Sequence, residues 1–192
     1  KQNLNNSCEK KFKYPFFQAQ RKDLINILFD EINKIDSEII FFDYELKGYE
    51  EKNNFVSATF INDKKVEGSV IIGCDGINSK VRKILNPNAS SEFSNIIAWR
   101  GVVKMRDLSK PITELSPTIW MGNQKHFVHY PVKKGNLLNF IGTVRKDEWH
   151  DKSWHQFGNK EELKSDFGNA NSIIKEIIEN TNKPNKWGLF DI

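Results

Sequence analysis

A mixed α/β (α+β) fold is predicted by three observations. First, an apolar stretch, Val70-Ile71-Ile72, runs into a tight turn, Gly73-Cys74-Asp75-Gly76, and a short helix opens after it at Asn78 or Ser79. Strand, Gly/Asp turn and helix in that order bring a carboxylate and free backbone N–H groups to the carboxyl end of a strand, where open α/β sheets bind nucleotides. Second, Leu24, Ile25, Leu28, Ile32 and Ile35 recur at helical spacing. Third, the second half of the chain is rich in strand patterns, two of them joined by the hairpin signal Lys133-Lys134-Gly135-Asn136.

Lys1–Lys13 is polar and reads as a loose start. An amphipathic helix follows over about 22–35. Ile39–Phe42, Val56–Ile61 and Val66–Gly73 read as strands, with Asn62-Asp63-Lys64-Lys65 as a hairpin turn. The helix over about 79–85 must stop before Pro87. Ile96–Met105, Thr118–Met121, His126–Val132 and Leu137–Arg145 read as strands, followed by helices over about 160–167 and 171–180 and a final apolar segment, Trp187–Phe190. There is no internal repeat and no low-complexity linker.

With 192 residues, 38% of them hydrophobic and 28% charged, the chain can bury a core and is not of a disordered type. No apolar run approaches the length that crosses a bilayer, and no apolar h-region of a signal peptide opens the chain, so no membrane partner is expected. The net charge of +4 comes from 24 Lys against 5 Arg, spread among acidic residues. That is a solvated surface rather than a nucleic-acid-binding arm. Cys8 and Cys74 give neither a disulfide framework nor metal spacing, which suits a reducing cytoplasm.

Several residues carry candidate chemistry, each with a plainer alternative. Arg21, just before the first amphipathic helix, can pair with a phosphate or ribose, or is a surface Arg at a helix start. Asp75 ends an apolar strand and needs partners: helix N–H groups, a ribose hydroxyl, or an Arg such as Arg82. On a strand, His126 and Tyr130 share one face and His129 takes the other, so His126 and His129 cannot chelate a metal together. A His and a Tyr on one face suit a phenol pocket, since neutral imidazole can accept the phenolic proton; a core His bonded to a carbonyl is the alternative. Arg100 either orients a carboxylate or makes a structural pair. Trp149, Trp154 and Trp187 are expected in the core or at an interface.

The run Gly73-Cys74-Asp75-Gly76-Ile77-Asn78-Ser79-Lys80-Val81-Arg82 resembles the Asp-Gly fingerprint of the class A FAD-dependent aromatic hydroxylases, a family of flavoprotein monooxygenases. Further segments resemble the same family in the same order: Gln20–Leu24, Ala98-Trp99-Arg100-Gly101, and His126–Pro131 with Asn139-Phe140-Ile141-Gly142. The tail, from Asp147-Glu148-Trp149 through Ser153-Trp154 to Lys186–Asp191, is similar to the salicylate and 3-hydroxybenzoate hydroxylase branch. The likeness extends over nearly the whole chain from about Tyr14.

This resemblance implies part of a Rossmann-like FAD-binding domain over 1–92, joined to a mixed β-sheet substrate domain with C-terminal helices over 93–192, as in p-hydroxybenzoate hydroxylase-like folds. It implies FAD as cofactor, NADH or NADPH as co-substrate, O₂, and a small aromatic acid as substrate; it admits a homodimer of the full-length protein. It assigns Arg21, Asp75 and Gly76 to the flavin, His126 and Tyr130 to catalysis and to the substrate, and Arg100 to the substrate. No Gly-x-Gly-x-x-Gly is present, nor the family's second flavin motif. The chain therefore reads as an internal fragment, inactive alone. The alternatives are a related flavin oxidoreductase with a non-phenolic substrate, or a non-catalytic domain that binds no flavin.

Overall fold

The computed structural model describes residues 4–109, 117–149 and 157–192, which form two compact units, Lys1–Ile27 with Asn95–Leu189, and Leu28–Ser94 with Phe190–Ile192. Trp154 lies outside the described residues. No described helix is long and apolar enough to cross a membrane.

The larger unit is built on a five-stranded sheet. Its strands are β4 (Glu92–Lys104), β5 (Thr118–Gly122), β6 (Lys125–Val132), β7 (Leu137–Arg145) and β8 (Asn185–Asp191), in the spatial order β5-β6-β7-β4-β8. The β5·β6, β6·β7 and β4·β7 pairings are antiparallel. The β6–β7 loop falls where the sequence predicts, with Lys133, Lys134 and Gly135 at φ 53°, 56° and 85°. Two helices, α4 (Lys160–Asp166) and α5 (Ser172–Glu179), cover one face. Each is capped by an Asn: Asn159 accepts from the Glu161 N–H and Asn171 from the Ile173 N–H, satisfying donors that a first turn leaves orphaned.

The core lies between that face and the helices. Trp99, Phe127, Leu138 and Phe140 point into it from the sheet, and Leu163, Phe167, Ile174 and Ile177 meet them. Phe127 stacks on Phe140 with centroids 5.0 Å apart, and Phe167 meets Phe127 edge-on at 5.3 Å. Two glycines make room for the rings: a Cβ on Gly101 would sit 2.4 Å from Phe140, and one on Gly142 would sit 2.7 Å from Phe167. Asp166 ties helix to sheet. Its buried carboxylate accepts from Trp99 Nε1 at 2.8 Å and pairs with Lys146 at 2.7 Å, while its carbonyl accepts from Lys125 Nζ at 2.6 Å.

The smaller unit holds the body of α2 (Arg21–Ile35), an antiparallel meander of β1 (Leu46–Lys52), β2 (Phe55–Phe60) and β3 (Lys65–Gly68), and α3 (Lys80–Leu85). Here the structure corrects several sequence expectations. Ile39–Phe42 is not a strand; its rings are spent on local packing, Phe42 against Phe29 and Phe41 against Tyr44. The third strand ends at Gly68, so Val70–Gly73 is not part of it, because no described strand lies alongside to complete its ladder. The strand β1, Leu-Lys-Gly-Tyr-Glu-Glu-Lys, carries too little alternation to be read from sequence; pairing with β2 makes it. In the larger unit, the start expected to be loose contains a helix, α1 (Leu4–Phe12), ended by Lys13 at φ 66°.

Candidate functional site

Two regions gather the residues singled out in the sequence, one in each unit. In the smaller unit the Gly73–Ser79 turn leads into α3. Gly73 lets the helix lie close: a Cβ there would be 2.7 Å from the Val81 Cβ. Gly76 takes φ 76°, a left-handed conformation that glycine adopts without strain, and nothing lies within 4 Å of where its Cβ would be. Backbone and carboxylate are thus both open to solvent at this turn.

Asp75 is exposed and serves its own helix. One carboxylate oxygen accepts from the Ser79 hydroxyl, and the other accepts from the Lys80 N–H at 2.6 Å and the Val81 N–H at 3.4 Å. The Ser79 hydroxyl chiefly holds Asp75 below the usual carboxylate range; desolvation opposes it, and the backbone donors add smaller contributions in the same direction as Ser79. Ser79 in turn accepts from the Arg82 N–H at 3.0 Å. Arg82 does not pair with Asp75: its guanidinium donates to the carbonyls of Gly76 and Ile77, closing the turn. Beneath, an apolar cleft of about 410 Å³ lies between Val56, Ala58 and Phe60 of β2 and the Val70–Asp75 segment.

In the larger unit the sheet face away from α4 and α5 is open at Ile119, Met121, His126, Arg100 and Val102, half-buried at Val128, Tyr130, Asn139 and Ile141, and buried only at Ala98 and Thr143. Cross-strand register sorts its side chains into rows: Met121, His126, Thr143 and Ala98; Ile119, Val128, Ile141 and Arg100; then Tyr130, Asn139 and Val102. His126 and Tyr130 share this face, and Val128 and Ile141 form an apolar floor between them and Arg100. Given about 4.8 Å between strands and about 6.7 Å per two residues, the three polar residues stand roughly 12–13 Å apart at their Cα atoms. That spacing fits one aromatic ring with a polar substituent at each end.

Each polar residue has its support. The Arg100 guanidinium lies 4.5 Å over the Trp187 ring, a cation–π contact. Burial pulls Arg100 below its ordinary value, and the nearby Tyr130 phenol opposes that shift. His126 has Thr143 Oγ1 2.9 Å from Nδ1 and 3.0 Å from Nε2. His129 faces the core, fully buried, and neither ring nitrogen has a hydrogen-bond partner; burial lowers its pKa. Its neighbour across the ladder region, Trp120, has a ring centroid 6.2 Å away and an equally unpartnered Nε1.

Arg21 begins α2 with its side chain exposed. Two residues on, Asp23 pairs with Lys133 at 2.6 Å, tying that helix start to the β6–β7 loop. Arg21 belongs to the larger unit and Asp75 to the smaller. Sequence reasoning named Ser79 only as a possible helix start and Trp187 only as a core or interface residue, and it missed Thr143. Ser79 was legible as a helix cap; Thr143 and Trp187 depend on neighbours in other strands.

The family model described as FAD binding domain matches residues 3–181. The 3-amino-4-hydroxybenzoate 2-monooxygenase PtnB3 of Streptomyces platensis is 26% identical over 98% of this chain and 46% of its own. The 3-hydroxybenzoate 6-hydroxylase 1 of Aquipseudomonas alcaligenes is 26% identical over 73% of this chain and 36% of its own. A salicylate hydroxylase solved as a substrate complex superposes with a TM-score of 0.74 at 23% identity, over 89% of this chain and 46% of that one, which establishes a shared fold. The chain spans about half the length of the first of these relatives. With the match running through nearly every element described above, the chain belongs to the FAD binding domain family of flavoproteins.

Proposed function

We propose that this chain carries the substrate face and part of the flavin site of an FAD-dependent aromatic hydroxylase acting on a hydroxybenzoate-like acid. One observation carries the reading: the open sheet face sets Arg100, His126 and Tyr130 around the apolar floor of Val128 and Ile141. The relatives support it, because their names specify benzoates and salicylates, molecules with a carboxylate and a phenol on one ring. An acid of that kind offers its carboxylate to Arg100, its ring to the apolar floor, and its hydroxyl to His126 and Tyr130.

In this reading the division of labour follows the expected domains, flavin over 1–92 and substrate over 93–192. The His126 imidazole accepts the phenolic proton and leaves the more nucleophilic phenolate. Tyr130 hydrogen-bonds the same oxygen. Arg100, steadied on Trp187, fixes the carboxylate and so the ring position presented for attack. The solvent-open Gly76 backbone and the ionised Asp75 fit a ribose- and phosphate-bearing ligand, and Arg21 offers a guanidinium to the same class. FAD, when bound, supplies the redox chemistry by which one oxygen atom of O₂ enters the ring and the other leaves as water at the expense of NAD(P)H.

The test is product formed per NAD(P)H consumed by the full-length protein, across a panel of hydroxybenzoates. His126→Ala is expected to lower hydroxylation by about 10²–10⁴-fold, the usual cost of losing a general base, while FAD stays bound. Wild-type product yield from that variant would overturn the assignment.

A further inference from the structure

We infer that Asn139 sets the ring-substituent specificity of the open sheet face, binding a hydroxyl or amino group carried on the ring edge between carboxylate and phenol. The inference rests on the reading of that face as a hydroxybenzoate site. Asn139 lies on β7, in register with Tyr130 of β6 on one side and Val102 of β4 on the other. With about 4.8 Å between strands and about 6.7 Å per two residues, its Cα is about 5 Å from that of Tyr130 and roughly 8 Å from that of Arg100. A ring laid over Ile141, with its carboxylate at Arg100 and its hydroxyl over Val128 between His126 and Tyr130, has Asn139 along one edge and Thr143 along the other. Thr143 is buried, and its hydroxyl is already bonded to His126. Asn139 is half-buried, and among the described residues its side-chain amide has no hydrogen-bond partner.

A carboxamide carries two N–H donors and a carbonyl acceptor, so it meets a hydroxyl or an amino group equally well. Without a ligand, solvent satisfies it. A ring over Ile141 displaces that solvent, and an edge bearing hydrogen or methyl then leaves the amide unpaired. Leaving a desolvated polar group unpaired costs more than a made hydrogen bond contributes, so rejection of the apolar edge is the stronger half of the selection. Methyl, amino and hydroxyl groups are close in size, so shape alone does not separate them. Val102, the neighbour on β4, offers nothing polar in place of the amide.

The experiment measures binding and turnover of four probes by the full-length protein: 4-hydroxybenzoate and its 3-methyl, 3-amino and 3-hydroxy derivatives. Calorimetry gives the dissociation constants, and product formed gives kcat/KM. Wild type is expected to bind the 3-amino and 3-hydroxy probes about 10-fold tighter than the 3-methyl probe, as one hydrogen bond contributes. In Asn139→Leu that ratio should fall to about 1, because the amide is gone, with the 3-methyl probe bound no worse than by wild type. If Asn139→Leu does not fold, Asn139→Ala removes the same amide and should level the ratio in the same way. A role confined to the fold would weaken all four probes alike and leave the ratio standing. That result, or a wild-type protein that does not distinguish the probes, would overturn the inference. Turnover separates it from the reading it rests on. Equal binding and turnover of all four probes keeps the hydroxylase reading and removes Asn139 from specificity. Selective binding without product in wild type removes the hydroxylase reading and keeps Asn139 as the contact. If none of the four binds, both fall.

Discussion

The two units spend their apolar residues very differently. In the larger unit Trp99, Phe127, Phe140 and Leu138 are at most 1% exposed, interlocked with α4 and α5. In the smaller unit, among the described residues, only Ala58 and Val81 are buried apolar residues, whereas Phe42, Val70 and Ile72 are 70%, 71% and 78% exposed. The helix α2 buries none of its residues. One unit has a packed core of interlocked rings and aliphatic side chains. The other has strand pairing and caps but little core, and its apolar surface is of the kind that folded domains cover with a further layer.

Four substitutions sharpen or break that contrast, read by urea unfolding and by hydrogen exchange resolved to each unit. Phe140→Ala should have the largest effect, about 3–5 kcal/mol, because it opens a cavity under the stacked rings. Exchange in the sheet strands should rise accordingly. Asp166→Ala should cost about 1–3 kcal/mol, since it leaves the buried Trp99 indole without its acceptor and Lys146 without its partner. Equal losses from the matching truncation in the smaller unit would erase the distinction.

His129→Leu should change stability by no more than about 1 kcal/mol near neutral pH, because it replaces two unpartnered nitrogens by an apolar group of similar size. Its signature is the pH dependence. Burial holds His129 below its ordinary value of 6.5 in the fold, so below that pH the unfolded chain binds the proton first. Wild-type stability should therefore fall as pH drops from 6.5 toward the folded value, and the Leu variant should lose that part of the slope. An unaltered acid limb would show that His129 finds a partner in solution. Phe42→Ala should have the smallest effect, within about 0.5 kcal/mol, as is usual for exposed positions.

What the sequence made legible follows the same division. The β6–β7 hairpin, the Asn-capped helices and the opposite facing of His126 and His129 all depend on local spacing, and all stand where spacing puts them. Val70–Gly73 looked like a strand because it is apolar, but a strand is a relation between two segments, and its partner is not among the described residues. The Asp166–Trp99 bond joins residues 67 positions apart, and no local pattern announces it. At the candidate site, the residue types were readable and their attendants were not. Thr143 and Trp187 matter through what stands beside them on neighbouring strands.

The alternation of β4, β6 and β7 also has a consequence for protein engineering. The face that holds the rings and the face that holds Arg100, His126 and Tyr130 use different residues of the same strands. A library randomising Ile119, Met121, Val128 and Ile141 would redraw the floor of the open face while leaving Phe127, Phe140 and the two glycines beneath them untouched. One face of the sheet could then be changed with the other left as a fixed chassis, and, under the proposed function, such a library would test which ring substituents the open face admits.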